Sequence, residues 1–110
     1  MMTEHQHQRL FIHWARLRYP NLLIFAIPNG GQRSIVTAKR LQAEGVVAGI
    51  PDLFVADGRP GLFIEMKKPG GALSKSQKEI IPTLQKNGYY VAVCYGFEQA
   101  KIALINYLML

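Results

Sequence analysis

The stretch that decides the fold is residues 51–67, PDLFVADGRPGLFIEMK. It contains two apolar runs, at 53–56 and 62–67, and each is long enough to be a short strand. Asp57-Gly58 follows the first run and is a dipeptide typical of tight turns between antiparallel strands. The segment therefore predicts a β-hairpin in which the second strand folds back along the first.

Acidic side chains stand at one end of this predicted hairpin. Residues two apart in a strand point to the same face, so Glu65 and Lys67 project together. The turn brings Asp52, at the start of the first strand, close to Glu65. Two carboxylates this close repel each other, and a hard divalent cation such as Mg²⁺ or Mn²⁺ relieves the repulsion. A cross-strand ion pair with Lys67 is the simpler alternative, but Glu65 lies among apolar neighbours, where an unpaired charge is costly.

The rest of the chain adds helices around this hairpin. Short breaks rich in Pro, Gly and Asn separate the segments, and Pro82 lies inside the third helix, where it costs about 3 kcal/mol or kinks the helix. The order α-β-α-β-β-α-β-α predicts a mixed α/β domain with a small central sheet flanked by helices. The predicted helices are 3–19, 34–44, 74–87 and 97–110, and the predicted strands are 22–27, 53–56, 62–67 and 89–95.

Length and charge narrow the class of protein. The chain has 110 residues, which is the size of one domain, so we expect 1–110 to be a single domain. Thirteen Lys and Arg against seven Asp and Glu give a net charge of +6, which favours a polyanionic partner such as nucleic acid. A single cysteine and a polar N-terminal stretch favour the cytoplasm over secretion, and no apolar run reaches the ~18 residues that span a bilayer.

Several blocks of the sequence, taken together, resemble the VRR-NUC family, the virus-type replication-repair nucleases of the PD-(D/E)XK superfamily. Pro51-Asp52 and Glu65-Met66-Lys67 are similar to the superfamily signature. The resemblance covers nearly the whole chain and implies a PD-(D/E)XK, restriction-endonuclease-like fold; short stand-alone members occur in phages. The other matching blocks are Glu4, Pro28-Asn29-Gly30-Gly31, Arg33, Ala48-Gly49-Ile50, Leu73-Ser74 with Gln77, and Gly88-Tyr89.

The resemblance implies a role for each residue of the signature. Asp52 and Glu65 match the metal-binding carboxylates, and the backbone carbonyl of Met66 matches an additional ligand. Lys67 matches the catalytic lysine. The implied cofactor is Mg²⁺ or Mn²⁺.

Two more residues enter the site through the resemblance. Glu4 matches an acidic residue of the first helix that completes the site and is a further metal ligand. Gln77 matches a polar residue of the helix that follows the catalytic strand. From the residues alone, Glu4 also suits the start of a helix, and Gln77 also suits a capping box with Ser74.

Basic and glycine-rich segments are candidates for DNA contacts. In Asn29-Gly30-Gly31-Gln32-Arg33, glycines let backbone amides approach a phosphate and Arg33 can clamp it, although an ordinary turn has the same composition. Lys68, Lys75 and Lys78 follow the catalytic strand, and we expect them to contact the DNA backbone. A solvated basic face is the alternative.

The remaining histidines and aromatic residues are not expected to belong to the site. His5 and His7 occupy alternate positions of a helix and do not face each other, so we expect both to be solvated. We expect Trp14 and the pair Tyr89-Tyr90 in the core rather than on the surface as platforms for nucleobases.

The predicted function is that of a metal-dependent DNA endonuclease acting in replication, repair or recombination. It would hydrolyse a phosphodiester by in-line attack of a metal-activated water, leaving a 5′-phosphate and a 3′-hydroxyl. Stand-alone family members resemble Holliday-junction resolvases, and the tail 104–110 is apolar enough to pair with a second copy, so we expect a homodimer acting on branched DNA. A general or flap-type nuclease and a non-catalytic DNA-binding module are the alternatives.

Overall fold

The computed structural model describes residues 1–28 and 34–110, and these residues form the elements in the order that the sequence predicts. The element boundaries differ from the predicted ones by no more than a few residues. The helices are α1 (Glu4–Arg18), α2 (Ile35–Ala43), α3 (Lys75–Lys86) and α4 (Phe97–Leu108), and the strands are β1 (Leu23–Ala26), β2 (Leu53–Ala56), β3 (Leu62–Lys67) and β4 (Tyr90–Tyr95).

The four described strands form one mixed sheet in the order β1-β2-β3-β4. β2 pairs antiparallel with both β1 and β3, and this confirms the predicted hairpin. β4 runs parallel to β3, which requires a crossover, and α3 provides it. Leu53 pairs with Ile64, so Asp52, one position earlier, lies beside Glu65, one position later.

The core lies between one face of the sheet and the helices α1 and α4. Phe11 and Ala15 of α1 and Leu104 of α4 are completely buried against Ile64 and Met66 and their neighbours in the sheet. Part of the apolar tail is therefore used within its own chain, where Leu104 and Tyr107 are both buried. Less of that tail than we expected is free to meet a second copy.

The aromatic pair Tyr89-Tyr90 was predicted to be in the core, and that prediction is wrong. Tyr89 is 41% exposed and Tyr90 is 44% exposed. Tyr89 packs edge-on against Phe54 and Phe63, with ring centroids 6.1 and 5.4 Å away. Phe54 and Phe63 belong to the set of sheet side chains that alternates with the buried one, so this aromatic cluster lies on the face turned away from the core.

Pro82 lies inside α3, and the helix continues through it. Proline has no amide hydrogen, so the carbonyl of Lys78, four residues earlier, loses its helical donor. Both residues are exposed, and water can satisfy that carbonyl. Exposure explains how the helix tolerates a proline at this position.

Among the helices that the structure describes, none combines the length and the apolar character needed to cross a membrane.

Candidate active site

Three carboxylates meet at the open end of the β2-β3 hairpin. Glu4 comes from the first turn of α1, Asp52 precedes β2 directly, and Glu65 lies in β3. One oxygen from each of the three lies within 4.8 Å of the others. They line a cleft of about 550 Å³. The structure thus brings together the three acids that the sequence assigned to a metal site.

Backbone hydrogen bonds hold Asp52 on both sides. Its Oδ2 accepts a hydrogen bond of 2.8 Å from the amide of Met66, which fixes the carboxylate against β3. Its own carbonyl accepts one of 2.7 Å from the amide of Ile27, which extends the pairing with the β1 side. Pro51, immediately before it, is buried. These hydrogen bonds to the sheet therefore fix the position of Asp52.

A glycine fixes the loop before Asp52 against the start of α3. Gly49 has a φ of +88°, a region that favours glycine, and a β-carbon there would collide with the backbone carbonyl of Ser76. The absence of a side chain lets the loop and the first turn of α3 approach closely. That contact places the neighbouring Gln77 over the carboxylates.

Glu65 is the most unusual group in the cluster. It is 1% exposed, and its Oε1 has no hydrogen-bond partner among the described residues. The pKa of Glu65 is raised from 4.5 to about 8, chiefly by burial and next by the charge of Asp52, while the charge of Lys67 acts in the opposite direction. A buried carboxyl with one unpartnered oxygen, facing two more acids, is the arrangement that a divalent cation would compensate. The residues present therefore fit such an ion.

Gln77 serves two functions at once, because its amide has both an acceptor and donors. The side-chain oxygen accepts a 2.8 Å hydrogen bond from the amide of Ser74, which completes the capping box of α3. The side-chain nitrogen donates a 3.1 Å hydrogen bond to Oε2 of Glu65. The two interpretations of Gln77 that the sequence left open, a helix cap and a site residue, are compatible in this geometry.

Lys67 projects from β3 on the same side as Glu65, as the strand period predicts. Its Nζ lies 3.9 Å from Oε2 of Glu65, and the side chain is largely buried. This places a cation at the edge of the carboxylate cluster. The alternative ion pair thus exists, but the other oxygen of Glu65 still has no hydrogen-bond partner within residues 1–28 and 34–110.

The residues predicted to contact DNA divide into two groups. Three of them are exposed: Lys68, Lys75 and Lys78. Lys75 and Lys78 lie next to the cleft-lining residues at the start of α3. Asn29, Gly30, Gly31 and Arg33 lie outside the described residues.

His7 was predicted to be solvated, and that prediction is wrong. The side chain is half-buried, and its Nδ1 accepts a 3.0 Å hydrogen bond from the amide of Phe97. α4 begins after Gly96, which has no side chain to cap it, so the histidine of another helix supplies the acceptor. The only sequence signal was the glycine at the helix start. His7 thereby fastens α1, the helix that carries Glu4, to α4.

Comparison with known proteins defines the class. The family model of the VRR-NUC domain matches residues 2–98. A solved structure described as a VRR_NUC domain protein superposes with a TM-score of 0.83 at 28% sequence identity, covering 100% of this chain and 91% of that chain. No curated protein gives a significant match. The chain belongs to the VRR-NUC family, so it carries a nuclease-type domain, for which DNA is the implied substrate.

Proposed function

We propose that this protein is a divalent-metal-dependent DNA endonuclease, with residues 1–110 acting as one nuclease domain. The observation that carries the proposal is the buried Oε1 of Glu65, which lies beside Asp52 and Glu4 and has no hydrogen-bond partner in the described part of the chain. A structural carboxylate normally has its buried oxygens paired, because an unpaired polar atom costs free energy. The carboxylate cluster destabilises the metal-free protein in this way, so binding of a cation explains it better than a contribution to stability does.

In this proposal Asp52 and Glu65 hold the ion, with Glu4 and the backbone carbonyl of Met66 as further ligands. Mg²⁺ or Mn²⁺, when bound, supplies an acidified water and charge stabilisation for phosphodiester hydrolysis. Hydrolysis leaves a 5′-phosphate and a 3′-hydroxyl.

The remaining site residues contribute through position and charge. Lys67 presents its ammonium group where negative charge develops on the phosphate. Gln77 fixes the orientation of Glu65 through the hydrogen bond of 3.1 Å. Lys68, Lys75 and Lys78 bind the phosphate backbone and hold the substrate over the cleft.

We further propose that the substrate is branched DNA and that the enzyme acts as a homodimer. In the part of the chain that the structure describes, we identify no element that reads base edges, which favours recognition of DNA shape over sequence. An exposed apolar surface supports pairing of two copies: no side chain of α2 is fully buried, and Ile35 and Val36 are 75% and 77% exposed. Sedimentation at micromolar concentration, with and without junction DNA, tests this. A monomer in both conditions contradicts the homodimer.

Cleavage of a labelled panel of duplex, flap, splayed and four-way DNA with Mn²⁺ tests the nuclease. We expect wild type to cleave and Lys67→Ala to be slower by about a hundredfold or more. Lys86→Ala, which removes an exposed lysine at the far end of α3, is the matched control and should cleave as wild type does.

Three outcomes of this panel separate the alternatives. Equal cleavage by wild type and Lys67→Ala contradicts the role of the lysine. Preference for flap or plain duplex over four-way DNA favours a flap-type or general nuclease. Binding without cleavage of any substrate favours a non-catalytic DNA-binding module. Asp52→Asn should abolish the metal-dependent cleavage while the protein remains folded.

A further inference from the structure

The outer face of α1 carries a stripe of basic side chains. His5, Arg9, His13 and Arg16 are all exposed. At about 100° per residue, these four positions lie within an arc of about 80° around the helix. We call this set the α1 basic stripe. The sequence interpretation did not assign it, because it expected His5 to be solvated and did not consider Arg9 or Arg16.

The stripe begins at the candidate active site. His5 lines the cleft and follows Glu4, one of the three acids, directly in the chain. The orientation of the helix is fixed, because Phe11 and Ala15 on its other side are completely buried. The stripe therefore leads from the cleft along the surface and cannot turn inward.

The charge of the stripe is available to a ligand. Glu4 is the only acidic residue in α1, and it belongs to the carboxylate cluster. In the described part of the chain, no ion pair involves Arg9 or Arg16. Arg16 donates one long hydrogen bond, of 3.4 Å, to the carbonyl of Ile24. A solvated helix face usually places acids three or four residues from its bases, and this one does not.

We propose that the α1 basic stripe binds the phosphate backbone of the DNA arm that leads away from the cleavage site. This inference rests on the proposed nuclease function. From His5 to Arg16 the helix rises about 16 Å, which is long enough to span more than one phosphate of a strand. Lys75 and Lys78 lie at the α3 side of the same cleft, so the substrate is held from both sides.

The test is DNA binding by Arg9→Gln as a function of salt, measured by fluorescence anisotropy on a labelled duplex in EDTA, where no cleavage occurs. We expect the dissociation constant to rise about eightfold at 0.1 M salt and the magnitude of the log-log salt slope to fall by about 0.9, the values for one lost phosphate contact. Arg9→Lys, which retains the charge, should bind nearly as well as wild type.

Arg18→Gln is the matched control, because Arg18 lies on the opposite side of the same helix, nine residues from Arg9. It should leave both the dissociation constant and the salt slope unchanged. If wild type cuts DNA and Arg9→Gln binds it as well as Arg18→Gln does, the stripe is not a contact surface although the nuclease proposal stands. If wild type neither binds nor cuts DNA, the proposed function fails and this inference fails with it.

Discussion

The two ends of the β2-β3 hairpin use the same kind of side chain in opposite ways. At the turn end, Asp57 accepts a 2.8 Å hydrogen bond from the hydroxyl of Tyr107 and pairs with Arg59 at 3.1 Å. At the open end, Asp52 and Glu65 face each other and a third acid, and one oxygen of Glu65 has no partner among the described residues. The Asp57 carboxylate is fully compensated, and the carboxylates at the open end are not.

The difference shows what each end contributes. Arg59 also donates hydrogen bonds to the carbonyls of Tyr107 and Leu110, at 3.0 and 3.2 Å, so the turn end fastens the end of α4 to the hairpin. Burial is the main cause, and the hydrogen bond to Asp57 the second, of the rise in the pKa of Tyr107 to about 12. The hydroxyl therefore stays protonated and can donate its hydrogen bond. At the open end, the clustered carboxylates destabilise the fold instead. A destabilising cluster within an otherwise well-packed fold is typical of a functional site.

The largest effect should come from Glu65→Gln, which removes the buried carboxylate and with it the pH dependence of the melting temperature. In the metal-free wild type, the melting temperature should fall as pH rises from about 5 to about 8 and then level off. The reason is that the Glu65 pKa is about 8 in the folded state and near 4.5 when unfolded, so between these values only the folded state holds the proton. Raising the pH in this range therefore favours unfolding. Thermal melts across this range in EDTA measure it.

Glu65→Gln should lack that decline and be more stable than wild type at pH 8. A divalent cation should raise the melting temperature of wild type more at pH 8 than at pH 5.5, since the ion competes with the proton for Glu65. Parallel pH profiles for the two proteins would show that Glu65 does not cause the decline.

A smaller effect should come from Gln77→Ala, which removes the hydrogen bond that orients Glu65. Groups that orient metal-binding side chains typically contribute 10-fold to 100-fold, so kcat should fall by about that factor with Mn²⁺. The variant also loses half of the capping box of α3, so a loss of stability alone cannot identify the role.

Ser74→Ala separates the two functions of Gln77. It removes the hydroxyl that caps α3 and leaves the amide of Gln77 free to reach Glu65. We expect it to lose about 1 kcal/mol of stability and to keep nearly all activity. If both variants lose activity equally, the position of the helix matters and the hydrogen bond to Glu65 does not.

The hairpin is the part of this comparison that the sequence predicts well. The alternation of side chains and the turn dipeptide determine that Asp52 lies beside Glu65 and that Lys67 shares its face. Both are local properties, because they depend on residues less than twenty positions apart. Glu4 is different: only the packing of α1 brings it to the site, and the residues alone left it as an ordinary helix-start acid. The family resemblance supplied that assignment.

The wrong predictions concern side chains whose burial or hydrogen bonding depends on another element packing against them. The apolar pattern of the predicted strand 89–95 includes Tyr89 and Tyr90, but it cannot tell whether a helix covers them, and none of the described helices covers them fully. His7 is an ordinary polar residue in its own helix, and its acceptor role depends on an uncapped amide ninety residues away. Both are questions of tertiary packing, which local periodicity does not contain.

The smallest effect on nuclease activity should come from the compensated end, with Tyr107→Phe. The change removes one hydroxyl, and both the Asp57 carboxylate and the Pro60 carbonyl lose a donor, at 2.8 and 2.9 Å. Because Arg59 still pairs with Asp57, the cost should be only about 1–2 kcal/mol in urea unfolding, with nuclease activity unchanged. Tyr90→Phe is the matched control, since its exposed ring packs on Tyr107 and should cost almost nothing. A loss of activity in Tyr107→Phe without a loss of stability would mean that the turn end also contributes to function, and the division between the two ends would be wrong.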